Sequence, residues 1–223
     1  MRSRPRLTVI SFAAAALLLG TTGCAGLDTA NAAGITRDDL VSEMAIQLAR
    51  VTGLTYTATY QLTGGDTATI TQAQKPTRTA YLYAGGRLLE TVTGTVRCDK
   101  ALACTETEPA PATAAPLTGS KLITPEAALA MLNTAALDQQ VDATQHDTTI
   151  AGRHATCLDL RRVDGTPTAE FSLCVTNEGA LGSFAATIAG ERFDQALTAY
   201  EEKADLAALD LPASAKLTDK RSK

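Results

Sequence analysis

Tryptophan is absent from this 223-residue chain, and aromatic residues of any kind make up only 4% of it. Much of its 45% hydrophobic fraction is alanine, so a large core has few bulky rings to fill it. Histidine occurs only at His146 and His154, away from the cysteines, and no Cys-x-x-Cys is present. These absences exclude the usual zinc spacings, and neither a metal nor a cofactor is expected. No Gly-x-Ser-x-Gly occurs, and nothing in the sequence would orient either histidine in a Ser-His-Asp set, so the chain is not expected to be an enzyme. A formal net charge of −4 leaves no basic footprint for nucleic acid. No apolar run approaches the ~20 residues needed to span a bilayer.

What is present begins with a targeting pattern. Arg2, Arg4 and Arg6 precede an apolar run from Leu7 to Gly20, which reads as a signal peptide over residues 1–23. Its end, Leu19-Gly20-Thr21-Thr22-Gly23-Cys24, resembles the lipobox of bacterial lipoproteins, with Thr21 where that family usually carries Leu, Val or Ile. The resemblance implies that the Cys24 thiol is acylated and becomes the first residue after cleavage. Cleavage removes three arginines and no acid, leaving 200 residues with a net charge of −7. That length fits one domain able to bury about 70% of its unfolded surface. Residues 24–35 form a small, polar tether whose reach is under roughly 20 Å, so the domain over 36–212 is held close to the membrane.

With Cys24 assigned to lipid, Cys98, Cys104, Cys157 and Cys174 remain. Outside the cytoplasm four such cysteines form two disulfides. Of the three pairings, the two local ones are chosen: Cys98–Cys104 brackets a short loop and Cys157–Cys174 brackets a hairpin.

The pattern along the chain alternates between two periods. Residues 36–51 read as a helix with Leu40, Met44, Leu48 and Val51 on one stripe, and Gly53 stops it. Strict alternation follows over 54–62, then strands over 67–74, 78–83 and 88–93 and a short hairpin at 96–105. The segment 105–120 lacks an apolar period and reads as a solvated connector, while Thr124-Pro125-Glu126 opens a second helix to about Leu137 carrying Leu129 and Leu132. Strands return at 143–150, 154–162 and 180–188. Pairing Val163 with Thr168 sets Cys157 opposite Cys174, Leu158 opposite Leu173, Leu160 opposite Phe171 and Arg161 opposite Glu170. A one-residue slip would destroy all four matches. Residues 213–223, ending in a small basic cluster, read as a flexible tail.

These elements specify an α+β fold, a curved antiparallel sheet of about ten strands that curls into a half-barrel around two main helices on its concave face. An acylated cysteine, a leading helix, a Tyr/Thr-rich meander, a central helix, further strands and a final Leu-Pro segment together resemble the LolA/LppX-type bacterial lipoproteins, including LprG-like envelope lipoproteins. On that resemblance the ambiguous segment 193–203 is assigned to strand. The family implies a lipid-anchored protein at the extracytoplasmic face of the cell membrane that carries an acylated lipid between sheet and helices. Leu40, Met44, Leu48, Tyr56, Tyr60, Ile70, Leu129 and Leu132 are the expected lipid-binding residues. The alternative is an envelope lipoprotein or regulatory sensor that binds a protein partner, similar to periplasmic anti-sigma-factor regulators of the same fold.

Overall fold

Alternating Thr/apolar segments build almost all of the structure. The computed structural model describes residues 37–110 and 115–221, which belong to one compact unit. Helix α1 (Arg37–Ala49) runs into a single 3-10 turn at Arg50–Gly53. A meander follows: β1 (Tyr56–Leu62), β2 (Thr67–Gln74), β3 (Thr77–Tyr83), β4 (Gly86–Thr91), β5 (Gly94–Asp99) and β6 (Ala103–Thr107). Helix α2 (Pro125–Leu137) separates it from β7 (Asp142–Ile150), β8 (Arg153–Arg161), β9 (Glu170–Thr176), β10 (Leu181–Ile188) and β11 (Glu191–Glu201), and β12 (Lys216–Asp219) closes the chain.

All twelve strands form one open, curved sheet in the order β12-β6-β5-β4-β3-β2-β1-β11-β10-β9-β8-β7. The two meanders join where β11 pairs antiparallel with β1, which places the segment 193–203 at the middle of the sheet as a strand. Helix α2 starts as its sequence dictates: the Thr124 side chain accepts from the Ala127 N–H at 3.2 Å, with Pro125 at the first helical position. Both helices pack on one face of the sheet, where Val41, Met44 and Leu48 of α1 and Ala128, Met131 and Leu132 of α2 meet Leu158, Leu173 and Phe184.

The β8–β9 register is the expected one. Cys157 faces Cys174, Leu158 faces Leu173, Leu160 faces Phe171 and Arg161 faces Glu170. Near the turn the ladder kinks at Arg162, whose φ is 59°, and the Val163 N–H bonds to the Ala169 carbonyl. Both local disulfides, Cys98–Cys104 and Cys157–Cys174, are formed across paired strands.

Three expectations are corrected. Among the described residues the sheet has twelve strands rather than about ten. Within the expected tail over 213–223, the described residues up to 221 are ordered onto the sheet, because β12 pairs parallel to β6, with the Lys216 N–H bonded to Leu102 and the Lys220 N–H to Glu106. Arg221 anchors that end through Glu106 at 2.7 Å and Asp219 at 2.8 Å, so the domain continues past residue 212. The connector over 105–120 is only partly solvated: Leu117 is buried, as are Leu122 and Ile123 just beyond it. Leu117 and Leu122 cover β1–β4, completing a second core with Tyr56, Tyr60, Ile70 and Tyr81. The turn at Gly85 permits this approach, since a Cβ there would stand 2.4 Å from the Gly119 carbonyl oxygen.

Candidate functional site

The eight expected lipid-binding residues divide between two hydrophobic cores. Met44, Leu48 and Leu132 are buried in the core beneath the helices, with Leu40 and Leu129 packed against it. Tyr56, Tyr60 and Ile70 belong instead to the core under the 117–123 segment. Close packing and polar ties account for this. The Tyr60 hydroxyl donates to the Leu181 carbonyl at 2.9 Å, and Tyr56 stacks on Tyr200 with ring centroids 5.6 Å apart. Burial pushes both tyrosine hydroxyls far above their ordinary range, so they stay neutral. Cys24 lies outside the described residues, together with the expected signal peptide and tether.

The open clefts lie elsewhere. Depressions of about 630 Å³ beside Glu43 and Ile46 of α1 and Arg50 of the 3-10 turn, and about 460 Å³ beside Arg161, Glu170 and Arg192, are lined largely by polar side chains. A smaller cleft of about 230 Å³ lies at β3–β5, between the 115–118 segment and the start of α2, and it concentrates the perturbed chemistry.

Strand pairing builds this cleft. The turn after Tyr83 pairs Tyr83 with Gly86, which sets Tyr81 opposite Leu88 and Thr79 opposite Glu90. The next hairpin sets Leu88 opposite Arg97 and Glu90 opposite Thr95. Tyr81, Glu90 and Arg97 therefore project from the same face of three successive strands. Glu126, in the first turn of α2, meets them there: the buried Tyr81 hydroxyl donates to its Oε2 at 3.0 Å. Arg97 is held at the rim by the Tyr83 hydroxyl at 3.4 Å and the Thr118 carbonyl at 3.2 Å.

Electrostatics at this point are unusual for a protein surface. Burial, and then the charge of Glu126, push the Glu90 carboxyl up to about 7, against the pull of the Tyr81 hydrogen bond and Arg97. Tyr81 is driven well above its ordinary range, first by burial and then by Glu126 and Glu90. A half-buried carboxyl in a cleft, pushed toward neutrality by desolvation and a neighbouring carboxyl, is a candidate binding or catalytic group.

The sequence reading missed all four residues as a site. Their signal was a strand phase: Glu90 follows Leu88 by two, in the apolar position of β4, as Arg97 follows Thr95 in β5. The two histidines stand apart from the cleft, with His146 Nδ1 3.6 Å from Asp159 on the exposed β7–β8 ladder. Among the described residues no group of three or more His, Cys, Asp or Glu could hold a metal, and no helix is long and apolar enough to cross a membrane.

No protein-family model matches the chain, and no curated protein matches it. Among solved structures, the crystal structure of an uncharacterized conserved protein from Thermus thermophilus superposes with a TM-score of 0.53 at 10% identity, covering 81% of this chain and 99% of that one. This likeness is one of fold. The structure of PNGF-II reaches a TM-score of 0.39 at 11% identity over 76% of this chain and 32% of that chain, too slight a likeness to carry an argument.

Proposed function

We propose that the protein is an envelope lipoprotein, held at the extracytoplasmic face of the cell membrane by an acylated Cys24, whose domain binds a protein partner and catalyses nothing. The observation that supports this reading is that the expected lining residues divide between two buried cores, one beneath the helices and one under the 117–123 segment, while partly polar clefts lie at the surface. The 230 Å³ cleft is smaller than the ~300–1,000 Å³ that usually encloses a small-molecule ligand, and suits a single protruding side chain better.

A second reading keeps the LolA/LppX-type function, an acylated lipid carried within a half-barrel. One observation favours it: α1 and α2 pack together on one face of an open sheet. Such a carrier would have to part the helices from β8–β10 to admit a chain.

Two measurements on the full lipoprotein decide between the readings. Site-specific photo-crosslinking in membranes, from positions around the Tyr81 cleft, is expected to trap one defined protein. Native mass spectrometry is expected to show no bound lipid beyond the acyl anchor. A stoichiometric co-purifying lipid with no crosslinked partner would overturn the first reading in favour of the second. Cys24→Ala is expected to move the chain out of the membrane fraction, and a variant that stayed there would overturn the anchor.

A further inference from the structure

We propose that the cleft at Tyr81, Glu90 and Glu126 is a socket for an alkylammonium group, the side chain of a lysine on the partner or a free amine of the same shape. This rests on the partner-binding reading and names the chemistry that the partner presents.

The charges define the socket. Four elements face it with titratable groups: Tyr81 from β3, Glu90 from β4, Arg97 from β5 and Glu126 from α2. Tyr81 is neutral, so with both carboxylates ionised the set carries −1, and one further cation neutralises it. Arg97 does not fill that role, because its guanidinium is turned to the Tyr83 hydroxyl and the Thr118 carbonyl. An ammonium group carries three donors and is satisfied by a few oxygens, which two carboxylates and the neighbouring hydroxyls supply. Among the described residues no group of three or more His, Cys, Asp or Glu is gathered here as a metal site would need.

The walls fit the same ligand. Leu88, Pro116 and Leu117 line the cleft beside the carboxylates. A lysine places its charged head against acceptors while its methylene stem lies along such apolar surface. The volume of about 230 Å³ holds one short alkyl stem rather than a folded ligand.

Proton linkage follows from this arrangement. Partial desolvation and then the facing Glu126 keep a proton on Glu90 up to about pH 7. An incoming cation favours the ionised pair, so binding releases that proton to solvent. Affinity is therefore greatest above pH 7 and falls as the pH drops below it.

Calorimetric titration of the full lipoprotein in detergent, with n-butylammonium as probe and 1-butanol as its uncharged control, tests the socket. n-Butylammonium is expected to bind about tenfold more weakly at pH 6 than at pH 8, while 1-butanol does not compete with it. Glu90→Gln is expected to weaken binding at pH 8 at least tenfold and to abolish the pH dependence, and Glu126→Gln to weaken it from the helix side. Equal binding of 1-butanol, or affinity unchanged in a folded Glu90→Gln variant, would overturn the proposal. Crosslinking separates its failure from that of the parent reading. A partner trapped equally by wild type and Glu90→Gln overturns the socket and leaves the partner. Amine binding that depends on Glu90 with no partner trapped supports the socket, assigns it to free amines and overturns the partner.

Discussion

Gln195 holds the backbone of Ile123 from both sides: its Oε1 accepts from the Ile123 N–H at 2.8 Å and its Nε2 donates to the Ile123 carbonyl at 3.0 Å. A side chain from β11, at the centre of the sheet, thereby replaces the strand partner that the connector before α2 lacks. Both residues are buried, so no solvent stands ready to take over either bond. The pair fixes the 117–123 segment over the tyrosine core and sets where α2 begins.

Replacing Gln195 with alanine strands a buried donor and a buried acceptor on Ile123. The expected loss is about 2–4 kcal/mol in urea unfolding. The segment over β1–β4 should also show faster amide exchange than the β8–β9 hairpin, with which Gln195 is not paired.

Stability should depend on Glu90 in a direction opposite to that of most carboxylates. Its carboxyl is pushed up to about 7 from an ordinary value of 4.5, chiefly by burial and then by Glu126. Between these two values the folded chain keeps a proton that the unfolded chain has released. The contribution is therefore full below about pH 4.5 and is lost as the pH rises through about 7. Discounted for partial solvent access, the loss amounts to about 1–2 kcal/mol. Glu90→Gln should be more stable than wild type by that amount at pH 8 and no different at pH 4.5, as read from urea midpoints at the two pH values.

The two disulfides should differ in worth. Cys157–Cys174 closes a separation of 17 residues and Cys98–Cys104 one of 6. The chain-entropy cost of the loop then predicts about 3 kcal/mol for the first and about 2 kcal/mol for the second when both cysteines of a pair become alanine. Thermal unfolding of the two double variants checks the order.

How far the sequence could be read depended on how much each element announced itself through side chains. The β8–β9 register was legible as far as Arg161, because two cysteines and two apolar pairs all demand it, but the turn was not: Val163 bonds to Ala169 and not to the expected Thr168. The start of α2 was equally plain from Thr124 and Pro125. β12 was invisible: its four residues are all exposed, and its place beside β6 is set by backbone bonds that leave no apolar trace. The solvated reading of the connector failed because Leu117, Leu122 and Ile123 carry no period, and their burial depends on Gln195, distant in the chain. The carboxylate cleft was hidden for a related reason, since it required the register of two hairpins and the position of α2 together.

The two margins of the sheet are unequal, and this bears on how the molecule behaves when crowded at a surface. One is finished by the four-residue β12, the other by the nine-residue β7, long enough to template a foreign strand. Asp142, His146 and Asp147 along β7 discourage such recruitment, and Arg37 of α1 donates to the Gln139 and Val141 carbonyls just ahead of it. Neutralising those acids is expected to make that border more prone to pairing with a second copy.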